Sequence, residues 1–306
     1  MEYPFSFFAK KWWAALGASA LVLASGCVLP GRSGPVSSAL AVSRRLSQRG
    51  VAAKERHDLL QAEDLLAQAV RSCPENPEAR RHYGDVLWQS GKRFEAVSEL
   101  EEAVRLAEND ASVRVRLAEM RLVLGQTEAA AHEIAAALDL DPKSARAWTV
   151  RGRLMQGAGN LGQAIADFQR ALGYDPRDRE TLSLLAEAYR RRGEPQRALT
   201  VLHAWNNTYA PGEQPPKVDY LMGVTYKEIG CHEQALTCLT AAVSRSNPPP
   251  EWLYQLAEVR MLNGSPTGAL DAARHALAIN PNHQPSRELY NRLDQAQRSA
   301  AETLRY

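Results

Sequence analysis

Seven segments of this 306-residue chain align in phase. They start at Ser43, Pro77, Ala111, Ala145, Arg179, Pro216 and Pro250, and all steps are 34 residues except one of 37. The eighth position of each is Gly50, Gly84, Ala118, Gly152, Ala186, Gly223 and Ala257, always small. The twentieth is always Ala: Ala62, Ala96, Ala130, Ala164, Ala198, Ala235 and Ala269. A period this short gives each unit too little apolar surface to fold alone, so neighbours must stack to bury it. Length alone would suggest about two average domains; the period replaces that estimate with a linear array.

Each unit reads as two amphipathic helices, A and B. Small side chains at positions 8 and 20 let the two helices approach closely. Gly at position 15 (Gly91, Gly125, Gly159, Gly193, Gly230, Gly264) can take the left-handed conformation that ends helix A. Large apolar residues at position 24 (Leu66, Leu100, Ile134, Phe168, Leu202, Leu239) fill the space between repeats, with Ala273 the exception. Pro74, Pro142, Pro176 and Pro281 at position 32 end helix B. This pattern resembles the tetratricopeptide repeat over residues 43–283. The resemblance implies an all-α superhelix of about seven helix pairs, closed by a capping helix.

The first 26 residues have the layout of a secretory signal. Lys10 and Lys11 precede an uncharged stretch from Trp12 to Ala24, too short for an ordinary spanning helix. Leu23-Ala24-Ser25-Gly26-Cys27 resembles the bacterial lipobox, with Ala24 where that pattern prefers a larger aliphatic residue. The resemblance implies that Cys27 is lipidated, and that the protein is held on the cell envelope by acyl chains, each buried CH₂ contributing about 0.8 kcal/mol. In a diderm bacterium, Val28 rather than Asp after the Cys implies the outer membrane. The alternative is an uncleaved anchor, because Trp12 to Leu29 carries no charge.

The expected organisation is a signal at 1–26, a lipidated Cys and tether at 27–42, and a divergent repeat at 43–76. Further repeats fall at 77–110, 111–144, 145–178, 179–212, 216–249 and 250–283, with an insertion at 213–215, a cap at 284–300 and a tail at 301–306. Two places are irregular. The first repeat has His57 instead of Gly at position 15, so one long helix is an alternative there. In the fifth, Trp205 stands where six repeats have Ala, followed by Asn206, Asn207, Thr208 and a Pro/Gly-rich turn. A Trp at a small-residue position must spread the helices or turn outward, which would bend the superhelix; a local core with a tolerated insertion is the other reading.

Positions 2, 5, 9 and 12 of helix A share one face, and in the tetratricopeptide family that face lines the groove that holds a peptide or protein partner. By that resemblance the groove residues here are Arg81, Trp88, Glu119, Arg146, Arg153, Glu187, Arg190, Lys217, Tyr220, Lys227, Tyr254 and Glu258. The groove is expected to be mixed, modestly basic in its middle, with Tyr220 and Tyr254 as near neighbours. Tyr, Trp and Arg are the residues that most often carry binding energy. The family subtype that clamps a chaperone's terminal carboxylate is not matched by any three consecutive repeats.

Composition narrows the function classes. A balance of 37 Lys+Arg against 35 Asp+Glu excludes a strongly basic nucleic-acid binder. Cys27, Cys73, Cys231 and Cys238 lack metal-ligand spacing, and the His are scattered, so neither a metal nor a cofactor is expected. No phosphate loop, GxSxG or HExxH is present, and His132-Glu133 has no second His four residues on. The chain therefore reads as a non-catalytic interaction scaffold on a bacterial envelope, serving assembly of an envelope complex. The alternative is a regulatory adaptor for a separate enzyme such as a wall hydrolase or protease.

Overall fold

The computed structural model describes residues 35–245 and 247–303, and all its regular elements are α-helices. They run as consecutive pairs: α1 (Pro35–Glu55) with α2 (Leu59–Ser72), α3 (Pro77–Gln89) with α4 (Arg93–Leu106), and α5 (Ala111–Val123) with α6 (Thr127–Leu140). Next come α7 (Ala145–Gly157) with α8 (Leu161–Tyr174), and α9 (Arg179–Arg191) with α10 (Pro195–Asn206). The last pairs are α11 (Pro216–Ile229) with α12 (His232–Ser244) and α13 (Pro250–Leu262) with α14 (Pro266–Ile279), followed by α15 (Gln284–Thr303).

The close approach inside a pair follows from the small residues. A Cβ added at Gly152 would lie 2.5 Å from the Phe168 ring, and one at Gly223 would lie 2.6 Å from Leu239. Position 8 therefore receives the large side chain of position 24 in the same repeat. Every position-20 Ala is fully buried. At the A–B turns the glycines at position 15 hold φ between 72° and 87°, a region closed to most side chains. Helix A of four repeats is started by a side-chain cap at the preceding residue. Asn76, Asp110, Ser144 and Asp178 each accept from a backbone amide of the first turn.

The structure decides between the open alternatives at two places and moves one boundary. The first repeat is a pair, not one long helix: His57 takes φ 62°, and Asp58 then caps α2 by accepting from the Gln61 amide at 3.0 Å. The tether is shorter than 27–42, because α1 begins at Pro35, a favoured first helical residue. Trp205 neither turns outward nor splits the stack. It is buried with Leu182, Ala186, Leu202, Val218, Leu221 and Met222, joining α9, α10 and α11 in one core. The indole fills the space where α10 ends early and the insertion loop begins.

Helices A meet one another across repeats, α1 with α3, α5 with α7, α7 with α9, α11 with α13, and α13 with α15. They form the inner wall of the superhelix and helices B the outer one. α15 covers the last repeat with Leu289 and Leu293. No helix among the described residues is long and apolar enough to cross a membrane. The signal and Cys27 lie outside the described residues.

Candidate functional site

The inner wall is crossed by ion pairs between successive helices A. Glu119 on α5 is buried, and its carboxylate accepts from Arg146 on α7 and from Arg116 Nη1 at 3.0 Å. Arg116 also donates to Asp85 on α3 at 2.6 Å. Arg153 on α7 meets Glu180 on α9 at 3.5 Å, and Lys217 on α11 meets Glu187 on α9 at 2.8 Å. Arg190 on α9 reaches Glu228 on α11 at 2.6 Å. Lys227 on α11 reaches Glu258 on α13 at 2.9 Å and Gln255 at 2.6 Å. His283, just before α15, meets Glu251 at 3.4 Å.

Three of these rungs obey one rule. Position 9 of one helix A faces position 2 of the next: Glu119 with Arg146, Arg153 with Glu180, and Glu187 with Lys217. Each of those cations already has a carboxylate across the junction, which also raises the guanidinium pKa of Arg116 and Arg146: burial lowers both, but the Asp85 and Glu119 partners outweigh it. The signal was in the sequence. It needed positions 2 and 9 of neighbouring repeats to be read as pairs, which draws in Glu180; Asp85 at position 9 pairs instead with Arg116 at position 6.

The aromatic residues also find partners. Tyr220 stacks on Trp252 at 4.6 Å between ring centroids, with planes 9° apart. Tyr254 donates its hydroxyl to Glu258 at 2.8 Å and meets His283 edge-on. Burial pushes both phenols up to about 12, helped by Glu251 at Tyr220 and by the Glu258 hydrogen bond at Tyr254. Trp88 is half-buried against the core of α3–α5, with Arg93 5.7 Å above its ring. Arg81 joins none of the rungs. It lines a cavity of about 240 Å³ with Asp85, Arg116 and Arg146. A second cavity of about 170 Å³, sharing Glu119 and Arg146, continues toward Glu180.

Outside the groove, Glu133 is held by Arg114 and Arg121, both at 3.0 Å, so its role beside His132 is structural. Among the described residues no cluster of three or more His, Cys, Asp or Glu is placed to hold a metal ion.

A linear stack of helix pairs with a polar inner wall defines a helical-repeat protein. Residues 87–154 and 156–214 match one tetratricopeptide-repeat family model, and residues 48–111 and 220–283 match a second. The chain belongs to the tetratricopeptide repeat family, whose repeats serve protein–protein interaction and are generally non-catalytic. Human tetratricopeptide repeat protein 33 is 28% identical over 111 residues, covering 36% of this chain. The chain spans only 42% of that curated relative's length. Among solved structures, a tetratricopeptide repeat protein from Parabacteroides merdae superposes with a TM-score of 0.59 at 18% identity, over 83% of this chain and 99% of that one. YrrB, described as a TPR protein with an unusual peptide-binding site, gives 0.54 at 18% identity, over 62% of this chain and 96% of its own. At that identity these structures speak to the fold alone.

Proposed function

We propose that this protein is a non-catalytic scaffold that holds a peptide or protein partner along its inner wall, and that lipid on Cys27 anchors it to a bacterial envelope membrane. The observation that carries the first half is the run of adjoining cavities between helices A, lined by Arg81, Arg116, Glu119, Arg146 and Glu180. Such a wall offers hydrogen-bonding and charged groups at the spacing of the repeats, which suits an extended chain. The second half rests on the lipobox-like run ending at Cys27, with α1 starting eight residues later. Assembly of an envelope complex is the role that fits both.

The test is crosslinking in intact cells, followed by solubilisation, pull-down and identification of what is attached. Arg81→Ala and Glu180→Gln should lose the attached partner while the protein remains folded. Capture unchanged by both variants would move the site off the inner wall and overturn the groove reading. For the anchor, Cys27→Ser should abolish fatty-acid labelling and release the protein from the membrane fraction. Equal membrane retention, with no label in the unaltered protein, would overturn the lipid reading.

A further inference from the structure

The two end helices of the stack carry different charge. α15, the closing helix, holds three Arg and three carboxylates. α1, the opening helix, holds Arg44, Arg45, Arg49 and Lys54 against Glu55 alone. The imbalance belongs to this end of the chain. No Asp or Glu occurs between Glu2 and Glu55, whereas from Glu55 onward 30 Lys+Arg stand against 34 Asp+Glu.

A helix poor in carboxylates is not unusual here, but its cations are elsewhere neutralised. α7 has no carboxylate of its own, yet its Arg146, Arg151 and Arg153 meet Glu119, Asp167 and Glu180 on neighbouring helices. α1 has no preceding repeat to supply such partners. It packs on α2 and α3 through the side that holds the buried Ser43, Ser47 and Ala53. Arg44 and Glu55 turn toward α3, where both line a cavity with Glu78. The opposite side shows Val42, 40% exposed, then Arg45, Arg49 and Arg56 at helical spacing. Arg56 donates to Gln61 at 2.9 Å and has Asp58 two residues on. Arg45 and Arg49 are exposed, and among the described residues neither has a hydrogen-bond or ion-pair partner.

We infer that this outer face of α1 docks on the anionic headgroups of the membrane that holds the protein. The Arg45 and Arg49 guanidinium groups meet lipid phosphates, which they can bind bidentately, and Val42 adds an aliphatic contact. The reach is sufficient. Eight residues separate Cys27 from Pro35, at most about 28 Å of extended chain. Arg45 and Arg49 lie about 15 and 21 Å along α1 from Pro35, so a helix lying flat brings both to the surface that takes the lipid. A basic patch beside an acyl chain is the second signal that makes anchoring firm. Docked in this way, the stack leaves the bilayer from α1 outward, and the later repeats stand clear of it. This assignment rests on the anchoring half of the proposed function.

The test uses full-length protein purified from its native membrane, with a fluorescent amino acid in place of Ala41, which is exposed on the same side of α1. It is reconstituted with vesicles of phosphatidylcholine alone, or of phosphatidylcholine and phosphatidylglycerol in equal parts, each carrying an energy-transfer acceptor on a headgroup. Transfer should be several-fold higher on the anionic vesicles at 0.1 M salt, and should fall to the neutral level at 1 M. Arg45→Gln and Arg49→Gln should each lower the docked-to-undocked ratio about fivefold, and together about 25-fold. Arg274→Gln, on α14, should leave it unchanged. Circular dichroism melts matching the parent show that each variant folds. Equal transfer on both vesicles, or a difference that survives the double substitution, would overturn the docking face. Flotation on both vesicles without that difference keeps the anchor and removes the face. Flotation on anionic vesicles alone, lost in the double variant, removes the anchor and leaves the face standing. If transfer is equal but the double variant loses a crosslinked protein, the face is a protein interface and the lipid assignment is wrong.

Discussion

The contact between positions 8 and 24 makes single atoms count. Gly152→Ala puts a methyl group 2.5 Å from the Phe168 ring, an overpacked contact that should cost about 1–3 kcal/mol. Gly157→Ala, at the end of the same helix with nothing within 4 Å, should instead stabilise by about 0.5–1 kcal/mol. Urea denaturation of the two variants checks the opposite signs. The phenols make a second prediction. Tyr220 and Tyr254 stay protonated to about 12 in the fold, against 10.0 when unperturbed. Stability from keeping them neutral is therefore intact below pH 10 and lost as pH rises from there through 12. In an ultraviolet titration, Tyr220→Phe and Tyr254→Phe should each remove part of the latest ionisation, and both should flatten the alkaline loss of stability. At this scale the sequence was informative wherever a residue answered to its own repeat. The small residue at 8, the Ala at 20 and the Gly at 15 were each readable because their steric demand is local. The partner of Tyr220 was not, since Trp252 occupies position 3, off the face that the pattern marks as the groove.

Among the elements, α10 differs most from its equivalents. It ends at Asn206, and Trp205 takes the place that Ala fills elsewhere. The indole is 5% exposed, and its Nε1 has no hydrogen-bond partner, so its contribution is packing alone. Trp205→Ala should lose about 3–5 kcal/mol through the cavity it leaves. Trp205→Phe forfeits no hydrogen bond and should cost well under half as much. Chemical unfolding of both variants separates packing from polarity, and an equal loss would show that the indole nitrogen matters after all. The sequence marked this element as irregular without settling where the ring points. That depends on the space between α9 and α11, which the three-residue insertion helps to set. The first repeat shows the same limit: helix propensity alone allows α1 to run on through Lys54–Asp58, and only the αL turn at His57, capped onward by Asp58, decides for a pair.

For the whole molecule, the period made the architecture legible, because neighbouring repeats all solve the same burial problem in the same way. The electrostatics of the inner wall were less legible, since each rung belongs to two repeats and to neither alone. Among the described residues, ion pairs join helix A to helix A at several junctions, while on the outer side Glu63 of α2 pairs with Lys92, the residue that precedes α4. The two sides of the arc are thus fastened differently. The inner side acts as a row of ionic staples that the outer side matches at the first junction, so the molecule resembles a spring whose stiffness is partly electrostatic. Screening shortens the reach of exposed charges from about 10 Å at 0.1 M salt to about 3 Å at 1 M. The maximum dimension from small-angle scattering should therefore grow between those conditions, with helix content unchanged. Glu119→Gln and Lys217→Gln together should leave the extended dimension already present at low salt. A partner that wedges into a rung pulls on the same spring, so its affinity and the pitch of the superhelix rise and fall together.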